Sequence, residues 1–195
     1  MIAPLIKNIQ SKIQLTEEEI KLFADSWKEK KLDKNDLLFK TGDICRYDSF
    51  VISGCVKAFY IHPTTGKEEI LFFAIEDWWA TDLDSFSNQS PSDYTIQALE
   101  DTLLLQISHD AFEKLLKAIP KLERYFRLIL HGYISAIQKR IILTNAHSAE
   151  ERYIEFVKRY PKIIQKVPQY LIASYLGITP EFLSKIRAKR SLGNY

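Results

Sequence analysis

Cysteine, long apolar runs and an export signal are scarce or missing in this chain of 195 residues. The two cysteines, Cys45 and Cys55, are too few for a disulfide framework, and we interpret both as small buried side chains rather than a redox pair. The longest apolar run, residues 70–75, is far too short to cross a bilayer. The N-terminus lacks the basic and apolar regions of a signal peptide. These absences predict a cytoplasmic protein with no membrane partner.

Histidine is also sparse, and its positions do not suit a metal site. His62, His109, His131 and His147 are widely separated and lack the spacing of metal ligands. A cupin-like metalloenzyme is therefore the least favoured alternative, which a stoichiometric content of iron or zinc would revive. No nucleophile elbow, phosphate-cradling loop or pair of catalytic carboxylates stands out either. We predict no enzyme activity, no catalytic residues, no metal and no cofactor.

Charge is divided unevenly along the chain, although the net charge is only +2. Residues 139–195 hold eleven Lys and Arg against four Glu, which leaves this segment at +7 and the rest of the chain at −5. A basic tail on an acidic body is typical of nucleic-acid binding, because neutralisation of phosphates dominates affinity. A solvated charged face would give the same count, so charge alone does not decide the function.

The hydrophobic periodicity predicts an α+β fold. Residues 16–31 form a capped amphipathic helix, since Thr16 is followed by three glutamates and then by apolar residues at helical spacing. From residue 32 to about 108 short apolar runs alternate with turn signals, and Gly42, Gly54 and Gly66 recur every twelve residues. Regular turns between β-branched and aromatic runs predict an antiparallel β-roll of the jelly-roll kind.

Helical periodicity returns after the β-roll. A short helix is predicted over residues 110–118 and a long one over residues 120–145. The long helix carries one apolar stripe, which suits dimerisation as a coiled coil but could instead pack on its own barrel, or do each in part. The residues of this stripe are Leu122, Phe126, Ile129, Tyr133, Ile137 and Ile141.

Residues 169–189 contain a helix-turn-helix pattern. The first helix covers residues 169–176, the turn is Gly177-Ile178-Thr179, and the second helix begins at Pro180. Ala173 stands where the two helices cross, and Thr179 can cap the second helix. The side chains predicted to share the small core are Ile172, Leu176, Ile178, Leu183 and Ile186.

The outward face of the second helix carries side chains suited to DNA. We predict base contacts from Glu181, Ser184 and Lys185 and phosphate contacts from Arg187, Lys189 and Arg190. Thr179 adds a further predicted contact, and Lys166 and Gln169 are expected to steady the DNA backbone. Helical pairs of this kind also occur in proteins that never touch DNA.

The order of these parts resembles the Crp/Fnr superfamily, that is, the cyclic-AMP receptor protein and the fumarate/nitrate regulator. The stretches that resemble it are Leu38-Phe39-Lys40-Thr41-Gly42-Asp43, residues 50–57, Gly66-Lys67-Glu68-Glu69, residues 98–102, residues 105–108, and Gly177-Ile178-Thr179 with Glu181 and Lys185.

The resemblance implies three segments: a cyclic-nucleotide-binding-like roll over residues 1–119, a long dimerisation helix over residues 120–146, and a helix-turn-helix domain over residues 147–195. It implies a homodimeric transcription regulator that binds double-stranded DNA, with RNA polymerase as a candidate partner. Glu181 would meet a cytosine amino group and Lys185 a guanine, whereas Pro180 stands where the family has an arginine. After Arg190 little chain is left for a wing, so we expect a domain lacking most of it.

The nucleotide cassette departs from the family's pattern. No Lys or Arg stands between Lys67 and Lys114, although the family uses an arginine for the cyclic phosphate. A phosphate buried among aspartates without a cation is strongly disfavoured, so cAMP is not expected as effector. Iron–sulfur sensing in its usual form needs four cysteines. His62, in a predicted turn, is a poor haem ligand.

An unknown small molecule is the remaining effector class. Its candidate pocket is an aromatic cluster in which an acidic group would select a cation, although such clusters more often form barrel core. The pocket residues are Phe72, Phe73, Trp78, Trp79, Asp82, Phe86 and Tyr94. Asp82 and Asp84 are expected in a solvated loop. A protein that senses nothing, and a ligand-binding or scaffold protein that uses the basic tail for protein contacts, remain the alternatives.

Overall fold

The computed structural model describes residues 2–192, with side chains described through Lys189. The strands are β1 (Lys28–Leu32), β2 (Leu37–Phe39), β3 (Tyr47–Ser53), β4 (Cys55–Ile61), β5 (Glu68–Ile75), β6 (Thr95–Ala98) and β7 (Thr102–Ser108). The helices are α1 (Ala3–Gln10), α2 (Glu17–Asp25), α3 (Leu83–Asn88), α4 (His109–Ala118), α5 (Lys121–Ala146), α6 (Ala149–Arg159), α7 (Pro161–Lys166), α8 (Gln169–Leu176) and α9 (Pro180–Leu192).

Two antiparallel sheets form the β-roll. One has the strand order β1-β7-β3 and the other the order β2-β6-β4-β5. The apolar side chains between the sheets, among them Val51, Val56, Ile96 and Leu104, are completely buried. The predicted α+β class with an antiparallel β-roll is confirmed.

The helix predicted over residues 16–31 is shorter than expected. It starts as predicted, because the Thr16 hydroxyl accepts from the Glu19 N–H while the Glu19 carboxylate accepts from the Thr16 N–H. It ends at Asp25, and residues 28–32 form β1 instead. There Lys28 pairs with Gln106 of β7, so sheet pairing overrides the helical preference of a lysine-rich segment.

A second core connects the N-terminal helices to the base of the roll. Leu5 and Ile9 of α1 are completely buried, in the same cluster as Phe50 of β3 and Leu122 and Tyr125 of α5. The first turns of α5 therefore serve the folding of their own protomer.

Gly54 makes the tight turn between β3 and β4. Its φ of +101° lies in the left-handed region, and a Cβ atom there would lie 2.4 Å from the Thr102 Oγ1. No side chain fits this close approach, so glycine is required where the chain passes from one sheet to the other.

In the tail, residues 149–192, every regular element that the structure describes is a helix. The tail shares a third core with the outer face of the four-stranded sheet, where Phe73 and Ile75 of β5 meet Phe156, Ile172 and Leu176. The tail therefore packs on the roll through buried apolar side chains.

Polar groups close the free edge of β5. The Ser174 hydroxyl accepts from the Ile70 N–H at 3.1 Å and donates to the Glu68 carbonyl at 3.2 Å. Arg140 of α5 donates to the carbonyls of Ile70 and Leu71 and to that of Tyr175 in α8. The backbone groups of an edge strand are thus satisfied by α5 and the tail together.

Candidate nucleic-acid interface

The helices α8 and α9 pack as the sequence predicts. Ile172 and Ala173 are fully buried and Leu183 and Ile186 nearly so. Gly177 ends α8 with φ +66°, and its N–H bonds to the Ala173 and Ser174 carbonyls. The two helices thus form one rigid pair with a small apolar core.

The first turn of α9 holds its polar groups in place. The Thr179 hydroxyl accepts from the Phe182 N–H at 3.2 Å, as expected of a cap. Hydrogen bonds from its own backbone N–H and from the Thr179 hydroxyl lower the pKa of Glu181, and the positive charge of Lys67 adds to this effect. The Glu181 carboxylate is therefore ionised and oriented at the N-terminal end of α9.

The outward face of α9 is solvent-exposed along the whole of its described part. The predicted DNA contacts on this face are Glu181, Ser184, Lys185, Arg187 and Lys189. Lys189 forms an ion pair with Glu150 of α6 at 3.1 Å. The side chain of Arg190 lies outside the described residues. We call α9 the recognition helix.

The two residues expected to steady the DNA backbone lie in other settings. The Lys166 Nζ bonds to Glu76 at 2.6 Å and to Glu100 at 2.8 Å, so its charge joins the tail to the roll, and its contact with the DNA backbone stays a prediction. Gln169 is half-buried at the start of α8, and its Oε1 has no donor among the described residues.

The N-terminal half of the predicted dimer stripe packs in its own protomer, and the C-terminal half is exposed. Leu122 is completely buried in its own protomer, and Phe126 and Ile129 pack against the same core, so Leu122 is corrected from a surface contact to a core residue. Tyr133, Ile137 and Ile141 are exposed. Three further exposed apolar residues that the sequence analysis missed are Leu130, Ile134 and Ile142.

The exposed part of α5 has coiled-coil spacing. Leu130, Ile134, Ile137 and Ile141 are separated by four, three and four residues, which is the spacing of an a/d seam. Such a row of exposed aliphatic side chains is costly in water and suits pairing with the same row of a second copy. We call these four residues the α5 seam.

The aromatic residues predicted to line one effector pocket lie in different cores. Phe72, Phe86 and Tyr94 belong to the roll interior. Trp79 packs with the N-terminal helices, and Phe73 faces the tail. The prediction of one cavity lined by the whole set is therefore wrong, because consecutive residues of a strand face opposite sides of a sheet.

Asp82 has a structural role that the sequence analysis did not assign. It is buried, one carboxylate oxygen accepts from the Ser85 N–H, and the other accepts from the Ser92 hydroxyl at 2.6 Å. It is the N-cap of α3, where a loop was expected. Its oxygens are thus already bonded, so the prediction that Asp82 selects a cationic ligand is corrected.

The roll also buries Asp48, which the sequence analysis did not single out. Its carboxylate accepts from the Thr81 hydroxyl and from the Ser49 N–H. Burial raises the pKa of Asp48 to about 6, and these hydrogen bonds offset part of that effect. Two buried acids and the absence of Lys and Arg from residues 68–113 leave this side of the roll unsuited to a phosphate.

Two of the predicted pocket residues do line a cavity of about 480 Å³ between β5, α5 and α8. Phe72 and Tyr94 form one wall and Tyr133, Ile137 and Arg140 another. Ile137 belongs to the α5 seam, so this cavity opens beside the exposed row of α5.

The cysteines are buried and unpaired, as interpreted from the sequence. Desolvation raises the pKa of Cys45 to about 11 and that of Cys55 to about 12. Among residues 2–192 no three or more His, Cys, Asp and Glu side chains are grouped to hold a metal. Within the same residues no helix is long and apolar enough to span a membrane.

Comparison with known proteins gives three findings. Residues 29–118 match the cyclic nucleotide-binding domain family. The chain is 29% identical over 188 residues to the anaerobic regulatory protein of Haemophilus influenzae, covering 88% of this chain and 70% of that protein. It is 29% identical over 182 residues to the fumarate and nitrate reduction regulatory protein of Yersinia pestis, covering 86% and 70%.

The fold is similar to that of FixK2 from Bradyrhizobium japonicum. The TM-score is 0.75 at 16% identity, with 85% of each chain covered. The matched domain covers the two-sheet roll and α4, and the two relatives match over most of the chain. On these grounds the chain is similar to anaerobic and fumarate/nitrate regulatory proteins over most of its length, and its roll matches the cyclic nucleotide-binding domain family.

Proposed function

We propose that this chain is a homodimeric regulator that binds specific sequences of double-stranded DNA through the recognition helix. The observation that carries the proposal is the exposed polar face of α9, which stands on a rigid pair with α8 at the end of a segment of charge +7. Glu181 and Lys185 are suited to base edges, and Lys189 to phosphates.

The proposed dimer pairs the α5 seams of two copies. Each seam extends over three turns of α5, and its isoleucines lose exposed apolar surface on pairing. A two-fold axis along α5 would present two recognition helices about one DNA turn apart, so that two half-site contacts add. The proposed domains are the roll over residues 1–119, the dimerisation helix over residues 120–146 and the helix-turn-helix domain over residues 147–195.

The proposed regulator does not take cAMP as effector. A cyclic phosphate needs a cation, and the matching stretch of the roll holds the buried acids Asp48 and Asp82 instead. Titration of the protein with cAMP should give no heat of binding, and saturable binding at one site per chain would contradict this part of the proposal. The proposed place of action is the cytoplasm, with RNA polymerase as partner at the promoter.

The proposal is tested by fluorescence anisotropy with labelled DNA from upstream of the chain's own gene. Salt and random competitor DNA are titrated in parallel. We expect tight binding that weakens with salt, because phosphate contacts release counterions, and that random competitor does not remove. Equal affinity for specific and random DNA at every salt concentration contradicts it. Absence of DNA affinity, with contacts of the tail to protein that salt does not weaken, favours the scaffold alternative.

A further inference from the structure

A second cavity lies at the junction of the dimer helix and the tail, outside the roll. It has a volume of about 530 Å³ and lies between the C-terminal half of α5, helix α6 and the end of α8. This size is within the range of small-molecule sites. Five cationic side chains line it against one carboxylate, that of Glu155. The cations are Lys139, Arg140, Arg152, Lys158 and Arg159.

Among the described residues, these five cations form no ion pair with a carboxylate. Four lysines elsewhere in the described chain do have carboxylate partners: Lys57 pairs with Glu68, Lys121 with Glu19, Lys189 with Glu150, and Lys166 with two glutamates. In the part of the chain that the structure describes, no carboxylate lies within 4.0 Å of the nitrogen atoms of any of the five. Like charges gathered around one cavity repel one another, and a bound polyanion would remove that cost.

Arg152 supplies a donor that lacks an acceptor. Its Nη1 donates to the carbonyl of His147 at 3.1 Å and lies 3.5 Å from that of Thr144, which fixes the side chain at the end of α5. Its Nε is buried, and no described residue accepts from it. A buried donor without a partner is costly, and an anionic oxygen in the cavity would satisfy it.

The remaining wall is rigid and largely apolar. Arg140 is held by three backbone carbonyls and lies over the Tyr175 ring at 4.0 Å, so its cation is fixed before any ligand arrives. Ile142, Leu143 and Phe156 are among the apolar residues of the lining. Apolar walls beside fixed cations suit a ligand with a ring system as well as negative charge.

The cavity lies on the side of α5 away from the proposed dimer seam. Lys139 follows Ile137 by two residues, which places it about 200° around the helix axis. Pairing of two seams would therefore leave the cavity open. Lys139 belongs to α5, whereas Lys158 and Arg159 belong to α6, so a ligand that met all three would join the dimer helix to the tail.

We propose that this cavity binds a nucleoside polyphosphate, with the phosphates against Arg152, Lys158 and Arg159 and the nucleoside against the apolar wall. The ligand then sets the angle between α5 and the recognition helix and so alters DNA affinity. Only this effect on DNA rests on the proposed function, because binding of the ligand is measured without DNA.

The test is isothermal titration calorimetry of the full chain with ATP, AMP and pyrophosphate. We expect one ATP per chain, bound more tightly than AMP or pyrophosphate. The double variant Lys158→Gln/Arg159→Gln removes two exposed cations and should weaken ATP binding at least about tenfold, as for lost hydrogen bonds to charged groups. The matched control, Lys30→Gln/Lys31→Gln, removes the same charge from exposed positions of β1 and should leave the affinity unchanged.

Three calorimetric outcomes overturn the proposal: no saturable ATP binding, an equal loss in both double variants, or pyrophosphate binding as tightly as ATP, which would show that the nucleoside contributes nothing to affinity. Displacement of ATP by any DNA, with a uniform loss of DNA affinity in the Lys158→Gln/Arg159→Gln variant, also overturns it and assigns the cluster to the DNA backbone. If only the proposed function is wrong, the protein does not bind specific DNA but still gives the expected ATP isotherm, so the two failures can be told apart.

Discussion

The Nζ of Lys166 lies 2.6 Å from a carboxylate oxygen of Glu76, so the tail and the roll are joined by an ion pair between residues 90 positions apart. Glu100 completes a triad at 2.8 Å. Burial opposes the charge of Glu76, but the hydrogen bond from Lys166 holds the pKa of Glu76 below its ordinary value of 4.5.

Replacing Lys166 by Met should lower the free energy of unfolding by about 1 kcal/mol near neutral pH, since two partly exposed pairs are lost. A group with a lowered pKa stabilises the fold above its unfolded pKa and loses that effect as the pH falls. The difference from wild type should therefore vanish in acid. Urea denaturation at several pH values measures it. Lys162→Met, at an exposed position of α7, is the control, and an equal effect there contradicts the assignment.

Asp48 predicts the opposite dependence on pH. Its folded pKa of about 6 exceeds the ordinary value of 3.8, so the folded state binds more protons between these values and stability falls as the pH rises through that window. Asp48→Asn keeps an oxygen for the Thr81 hydroxyl and should stabilise the protein by about 2 kcal/mol at pH 8, with little effect at pH 4. Thermal melts at both pH values test this against the exposed control Asp93→Asn. A gain of the same size at pH 4 would contradict it.

A charge in the α5 seam should separate the dimer. Ile137→Glu and Ile141→Glu each place a carboxylate in the apolar row of both copies, which should raise the dimer Kd by about a thousandfold. Sedimentation velocity measures the change. Ile154→Glu, on an exposed position of α6, is the matched control and should stay dimeric. If the wild-type protein itself sediments as a monomer, the proposed pairing of the α5 seams is wrong.

Lys185→Ala should relax sequence preference, because an exposed cation on the outward face of α9 is positioned to read a base edge. We expect a loss of about 1–3 kcal/mol on the specific site and little change on random DNA, measured by anisotropy. Equal losses on both kinds of DNA would rule out the base contact.

Lys189→Ala should instead weaken binding to all sequences alike and lower the slope of affinity against salt by about one. Its ion pair with Glu150 adds a reciprocal expectation: Glu150→Gln frees the ammonium group and should strengthen binding to every sequence. Salt titrations of both variants give the slopes. A loss confined to the specific site for Lys189→Ala would assign that residue to a base.

The parts of the fold that depend on local patterns could be predicted from the sequence. The roll, the capping box at Thr16, the long helix and the pair α8–α9 all have signals within a few residues of one another. Helix α1 was missed, although Pro4 at its start and Leu5, Ile9 and Ile13 at four-residue steps are a signal of the same kind.

The rest depends on partners that are distant in sequence. Nothing near Lys166 indicates that it bonds to residues 66 and 90 positions away, and nothing near Arg140 indicates the carbonyls of β5. Of the α5 seam, Ile137 and Ile141 were predicted, whereas Leu130 and Ile134 each follow a predicted stripe residue by one position. The packing of Leu122 and Tyr125 in the core of their own protomer decides which face of α5 is buried and which face stays exposed.

The core shared by β5 and the tail also bears on how the chain folds during synthesis. The roll leaves the ribosome first, and its strands can pair before α8 exists, yet Phe73 and Ile75 have their covering side chains about 100 residues later in the sequence. Until the last helices emerge, an apolar sheet face and the open edge of β5 face water, where they invite aggregation. The helices that are proposed to read DNA thus also complete the folding of the roll, so a nascent or truncated chain without them would depend on chaperones.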